Sequence, residues 1–297
     1  MNPLPGGNTL LALAAAILWG SSDFTGGMGV KRAGGSLGAA LRVVLLSHAA
    51  SFLVLLAIAR LRGDAAPHGA LLAWGIAAGV SGGLALTAFY IALARGAMGA
   101  SAAVSGLLAA AIPAALTLWR QGSPGISPLL GFAMAAIAIW LIAASPAQKT
   151  TANSARQTMA LAILAGIGFG FYFIALKMAS PTGVIWPMVS ARIGSLTICS
   201  LMLLTLRLRS ANSAGARLSL NRAVVLWALA TALLDTSGNL LFVAAARAGR
   251  LDVAAVLASL YPASTILLAA LALGEWPTRR QALGMAAAAL AVVLIAL

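Results

Sequence analysis

FYIALARGAMGASAAV, residues 89–104, and LFVAAARAGRLDVAAV, residues 241–256, are two versions of one segment. In that match Arg95 falls on Arg247, between two apolar runs in each copy. Working outward, LLGFAMAAIAIWLIA (129–143) pairs with ALGMAAAALAVVLIA (282–296), setting Gly131 on Gly284. Toward the start of each half, Gly20 and Lys31 fall on Gly166 and Lys177, and Arg42 falls on Arg192. Pro113 and Pro262 lie late in matched runs. Alanine-rich runs match one another easily. What carries the reading is the order of the pairs, which is the same in both halves: the chain is a duplication, with one copy over 1–150 and the other over 151–297.

The runs themselves set the solvent. Of 297 residues, 62% are hydrophobic and 8% charged, and the mean hydropathy is +1.01. Too few charges are present to cover a soluble surface, so the outer surface faces lipid. There every backbone N–H and C=O must be paired internally, which leaves helices or a closed barrel. Barrel strands alternate apolar and polar residues, whereas these runs are unbroken. A helix needs roughly 20 apolar residues to cross the bilayer. Ten segments qualify, at about 9–30, 37–59, 70–94, 98–119, 127–145, 158–178, 185–206, 222–246, 252–274 and 279–297. The expected fold is therefore an all-α integral membrane protein of ten transmembrane helices. Five spans per half is an odd number, so the second half enters the membrane from the opposite side. Two inverted five-helix repeats around a central cavity result, an arrangement that secondary transporters use to hold a substrate near the midplane.

Several classes drop out. The formal net charge of +14 comes from Lys and Arg between the runs, where they anchor helix ends, so no nucleic-acid partner is expected. The lone Cys199 can form neither an internal disulfide nor a cysteine metal site. Residues 1–8 lack Lys and Arg, so the first run is read as retained rather than cleaved. Gly34-Gly35-Ser36-Leu37-Gly38 matches a hydrolase-type G-x-S-x-G, but that motif needs a strand–turn–helix context with a His and an acid, and here it joins two apolar runs. With no zinc-protease motif and no phosphate loop, the chain is read as no enzyme. No cofactor or metal is expected, and uphill transport would draw on an ion gradient or on exchange. An intramembrane lipid-modifying enzyme would need clustered acids or histidines at one membrane face, and no such cluster is seen.

Charges inside the runs are the first site candidates, since each costs about 2.5–3.5 kcal/mol on insertion scales unless it finds a partner or a wet cavity. Asp23 and Asp235 are assigned to the pathway, where they could bind an ammonium group or carry a proton. The alternative is a structural pair with Arg42 or Arg192, which are assigned structural or gating roles. Trp19, Phe24, Tyr90, Trp186, Asn239 and Tyr261 are candidates for the walls and hydrogen-bonding groups of a substrate cavity. Gly75, Gly79 and Gly83 recur every four residues, a spacing that lets helix backbones approach closely. Pro113 and Pro262 each remove a backbone donor and crowd the preceding turn, making them candidate hinges.

These residues resemble the drug/metabolite transporter superfamily in its ten-helix EamA branch. The likeness rests on WGSSDF (19–24), Arg42, YIALARG (90–96) and YPASTILLAALALGEWPTRRQALG (261–284). The first half departs from the pattern: where the second has Gly274-Glu275, the first has Trp119-Arg120-Gln121-Gly122. Within the branch the chain looks like the YddG-type amino-acid exporters of bacterial inner membranes. That resemblance implies outward movement of aromatic and neutral amino acids or related metabolites; the rival solutes are drugs and purines. It also implies both termini in the cytoplasm. The charge distribution points the other way, with fewer basic residues on the terminal side (Arg60, Arg62, Arg120, Lys177, Arg247, Arg250) than opposite it. The expected partners are a small-molecule substrate and the lipid bilayer. A duplicated chain supplies both halves itself, so a working monomer in the cell inner membrane is expected.

Overall fold

The computed structural model describes residues 7–95, 98–143, 152–181, 183–209, 222–273, 276 and 278–296. Gly274-Glu275 of the resemblance lies outside them. The described residues form helices and no strand: α1 (Gly7–Arg32), α2 (Leu37–Leu61), α3 (Gly69–Ala94), α4 (Met98–Gln121), α5 (Ile126–Ala143), α6 (Ala152–Ala179), α7 (Ile185–Arg209), α8 (Arg222–Ala248), α9 (Leu251–Ala258), α10 (Tyr261–Leu273) and α11 (Arg279–Ala296). Among the described residues, seven spans are long and apolar enough to cross a membrane: α1, α2, α3, α6, α7, α8 and the run through α9 and α10. Their outward faces carry exposed Leu10, Leu53, Leu164, Leu233 and Leu271, with Trp119 and Trp140 on α4 and α5. Large apolar side chains on the outside of so many helices suit hydrocarbon rather than water.

The segment read as one helix over 252–274 is broken. Helix α9 stops at Ala258, and α10 starts at Tyr261. Pro262 has no N–H to continue the ladder, and its ring disfavours helical backbone in the residue before it. In the first turn of α10 the missing donor costs nothing, and Ala263 N–H bonds back to the Leu260 carbonyl. Its sequence counterpart Pro113 behaves differently: α4 runs unbroken through it. The G-x-S-x-G stretch is a turn and a cap. Gly34 and Gly35 have φ of +97° and +66°, and Ser36 Oγ accepts from Ala39 N–H at the start of α2.

Packing follows the small residues. A Cβ on Gly75, Gly79 or Gly83 would meet Ser190, the Ala191 backbone or Ser195 respectively, so this face of α3 is pressed onto α7. Gly194 answers from α7, against the Ile76 carbonyl. Helix α1 packs on α8 as α3 packs on α6. Gly20 of α1 abuts the backbone of α10 at Tyr261, and Gly166 of α6 abuts that of α4 at Ser105. Under the division into 1–150 and 151–297 expected from the sequence, the α1–α8 pair corresponds to α3–α6, and the α1–α10 pair to α6–α4.

One end of the bundle is tied across its connections. Trp186 Nε1 donates to the Asp64 carbonyl at 2.9 Å, Arg247 to the Pro181 carbonyl at 3.2 Å, and Arg250 to the Gly122 carbonyl at 2.8 Å. Lys177 Nζ donates to the Ala246 carbonyl. Arg250 also forms an ion pair with fully buried Asp252 at 2.9 Å.

Candidate functional site

Midway along the helices lies a cavity of about 560 Å³ of empty space, its mouth included. Helix α1 contributes Trp19 and Asp23; α3 contributes Gly79, Gly82, Gly83 and Leu86. Aromatic walls come from Phe169, Tyr172 and Phe173 of α6 and from Tyr261 at the start of α10. Polar groups come from His48 of α2, Arg192 and Ser195 of α7, and Asp235 and Asn239 of α8. The glycines of α3 let α6 and α7 approach closely beside the cavity: a Cβ on Gly79, Gly82 or Gly83 would meet the Ala191 backbone, Tyr172 or Ser195.

Arg192, 3% exposed, organises one wall. Its Nε donates to Ser51 Oγ at 2.9 Å, one terminal nitrogen to His48 Nε2 at 3.0 Å and the other to Asp235 Oδ2 at 2.5 Å. An arginine only donates, so His48 Nε2 must be the unprotonated nitrogen. Its Nδ1–H then points to Ser195 Oγ, 2.7 Å away, and the ring is neutral. Asp235 Oδ1 accepts from Asn239 Nδ2 at 2.9 Å, and the Tyr172 hydroxyl donates to Asn239 Oδ1 at 2.5 Å. Thr236 closes the far side by donating to Ser51 at 2.6 Å. The network thus links α2, α6, α7 and α8. Each of the three guanidinium nitrogens thus has a partner in a low-dielectric site.

The opposite wall is aromatic. Trp19 stacks on Phe173, ring centres 5.3 Å apart and planes 4° from parallel. Phe242 backs both rings. The Tyr261 hydroxyl is held by Ser105 at 2.7 Å, which fixes its ring edge-on to Phe89. Asp23 stands among these groups, 7% exposed.

The structure brings Trp19, Asp23, Asp235, Asn239 and Tyr261 of the sequence candidates to this cavity, together with Arg192. It does not bring Phe24, Tyr90, Trp186 or Arg42 there. Phe24 packs with Met28 and Ala269, edge-on to Trp227. Tyr90 is fully buried against Gly26. Trp186 belongs to the tied end, and half-buried Arg42 has no hydrogen bond or ion pair among the described residues. Neither Pro113 nor Pro262 lines the cavity, although Pro262 adjoins Tyr261. Helices α2 and α7 supply His48, Arg192 and Ser195 to the lining, and α4 supplies no lining residue. Phe169, Tyr172 and Phe173 escaped the sequence reading because aromatic residues in an apolar run carry no mark of which face they share. His48 could have been found, since a histidine deep in an apolar run needs a partner as a carboxylate does.

Residues 156–297 match the model of the EamA-like transporter family. The match supports the resemblance to the drug/metabolite transporter superfamily. Together with the seven apolar spans it makes the chain a multi-pass membrane protein. A solved structure described as "Crystal structure of protein" superposes with a TM-score of 0.70 at 16% identity, covering 98% of this chain and 96% of its own. Identity that low speaks for the fold alone. No curated protein matches the chain.

Proposed function

We propose that this protein is a secondary carrier of the inner membrane that exports amino acids, aromatic and neutral, or related small metabolites by alternating access. Two inverted five-helix repeats, 1–150 and 151–297, rock about the central cavity. One observation carries the reading: a polar, aromatic-walled cavity lies halfway along apolar helices, beside a helix that breaks at Ser259–Leu260. Binding sites next to broken helices at the midplane are the mark of transporters built from inverted repeats. The interchangeable contacts of α1–α8 with α3–α6, and of Gly20 with Gly166, support two equivalent halves. The family matched by the second half supports movement of a small solute. Because one scaffold serves many solutes in such families, the choice of amino acids rests on the resemblance, with the polar and aromatic lining of the cavity in its support.

The test is uptake into proteoliposomes holding the purified chain, with labelled threonine, methionine and phenylalanine in competition with cationic drugs and purines. Saturable uptake of an amino acid supports the reading. Saturable uptake of a drug or purine alone keeps the carrier and changes its solute. No saturable movement of any solute across the panel overturns the carrier.

A further inference from the structure

The charges around the cavity do not balance. Each nitrogen of the Arg192 guanidinium already has a partner: Ser51, His48 and Asp235. Asp235 is engaged through both oxygens, by Arg192 and Asn239. His48 accepts from that same arginine and is therefore neutral. What remains is Asp23. It lines the cavity, it is more than nine-tenths buried, and it has no hydrogen bond or ion pair with a described residue. A carboxylate in that position attracts a cation or stays protonated. The groups around it favour the cation, because Trp19, Phe169, Tyr172, Phe173 and Tyr261 surround the same space, and aromatic faces attract organic ammonium groups.

We infer that the cavity binds an organic monocation, a protonated amine with an apolar or aromatic body and no carboxylate, its ammonium group on Asp23. The inference rests on the carrier reading for its biological meaning and narrows its solute to amines related to amino acids. A zwitterionic amino acid fits the same volume less well. Its carboxylate would have to share the one guanidinium lining the cavity with Asp235, whose negative charge already sits against it, and with His48.

Three ligands with one aryl-ethyl body separate the possibilities: phenethylamine (cation), phenylalanine (zwitterion) and 3-phenylpropionate (anion). Equilibrium binding of each to the purified full chain in detergent is the measurement. Phenethylamine is expected to bind saturably and the other two at least about tenfold more weakly, because a site rejects a ligand that leaves buried charge unpaired. Asp23→Asn, nearly the same shape, is expected to lose amine binding by a similar factor, and Asp23→Glu to recover part of it. The comparison among ligands uses the wild-type chain, so it stands even where a variant folds poorly. Phenylalanine binding as tightly as the amine, undiminished amine binding by a folded Asp23→Asn, or absence of amine binding would each overturn the inference. None of these touches the carrier reading, which falls only if no solute of any charge crosses the proteoliposome membrane.

Discussion

Arg192 of α7 ties α2 and α8 to its own helix through Ser51, His48 and Asp235. Removing it leaves Asp235 as an uncompensated buried carboxylate and His48 without a donor, a change that costs about 3–5 kcal/mol in comparable sites. Arg192→Ala is therefore expected to lower the thermal midpoint of the detergent-purified protein by several degrees. The double variant Arg192→Met/Asp235→Leu removes both charges and is expected to recover most of that loss. A double variant as unstable as the worse single one would show that the ion pair is not what couples the two positions. The sequence exposed Asp23, Arg192, Asp235 and Asn239 because ionised and amide side chains are scarce in apolar runs and need a reason to be there. It did not separate the free carboxylate from the neutralised one. That distinction depends on which side chains three other helices bring alongside, and no spacing along α1 or α8 encodes it.

The seam between α3 and α7 shows what an element can and cannot declare in advance. Gly75, Gly79 and Gly83 fall on one face by arithmetic, and a glycine face means close approach; its partner is α7, which only the folded chain reveals. Gly79→Ala places a methyl group on the Ala191 backbone, which has no side-chain freedom with which to yield. A loss of about 1–3 kcal/mol is expected, read as a lower thermal midpoint. Leu84→Ala, at an exposed position on the same helix, serves as the control and should change it little. Equal midpoints for the two variants would count against a tight seam. The break before Pro262 was legible only in part. The proline was visible, but its effect depends on where it falls: in the first turn of a new helix at 262, in the interior of a continuous one at 113.

For the molecule as a whole, the halves make interchangeable contacts, and two experiments follow from that. Gly20→Val and Gly166→Val press a side chain against α10 and α4 respectively, at equivalent joints, so their losses of stability should be similar. A large loss in one and none in the other would argue against equivalence. The proposed inverted repeats would also place the α1–α2 turn and the α6–α7 turn on opposite faces of the membrane. In a Cys199→Ser background, Ala33→Cys and Gly183→Cys should react with a membrane-impermeant maleimide from opposite sides. Labelling of both from one side would exclude the inverted arrangement.

The ties at one end of the bundle share a chemical asymmetry. Trp186, Arg247, Arg250 and Lys177 give the hydrogens, while Asp64, Pro181, Gly122 and Ala246 receive them through main-chain oxygens. Every amino acid carries that oxygen, so the hydrogen bond itself does not depend on which side chain stands at a receiving position. The giving positions have no such latitude. A replacement at Asp64 or Pro181 therefore keeps its acceptor, whereas a single replacement of a donor unhooks one strap.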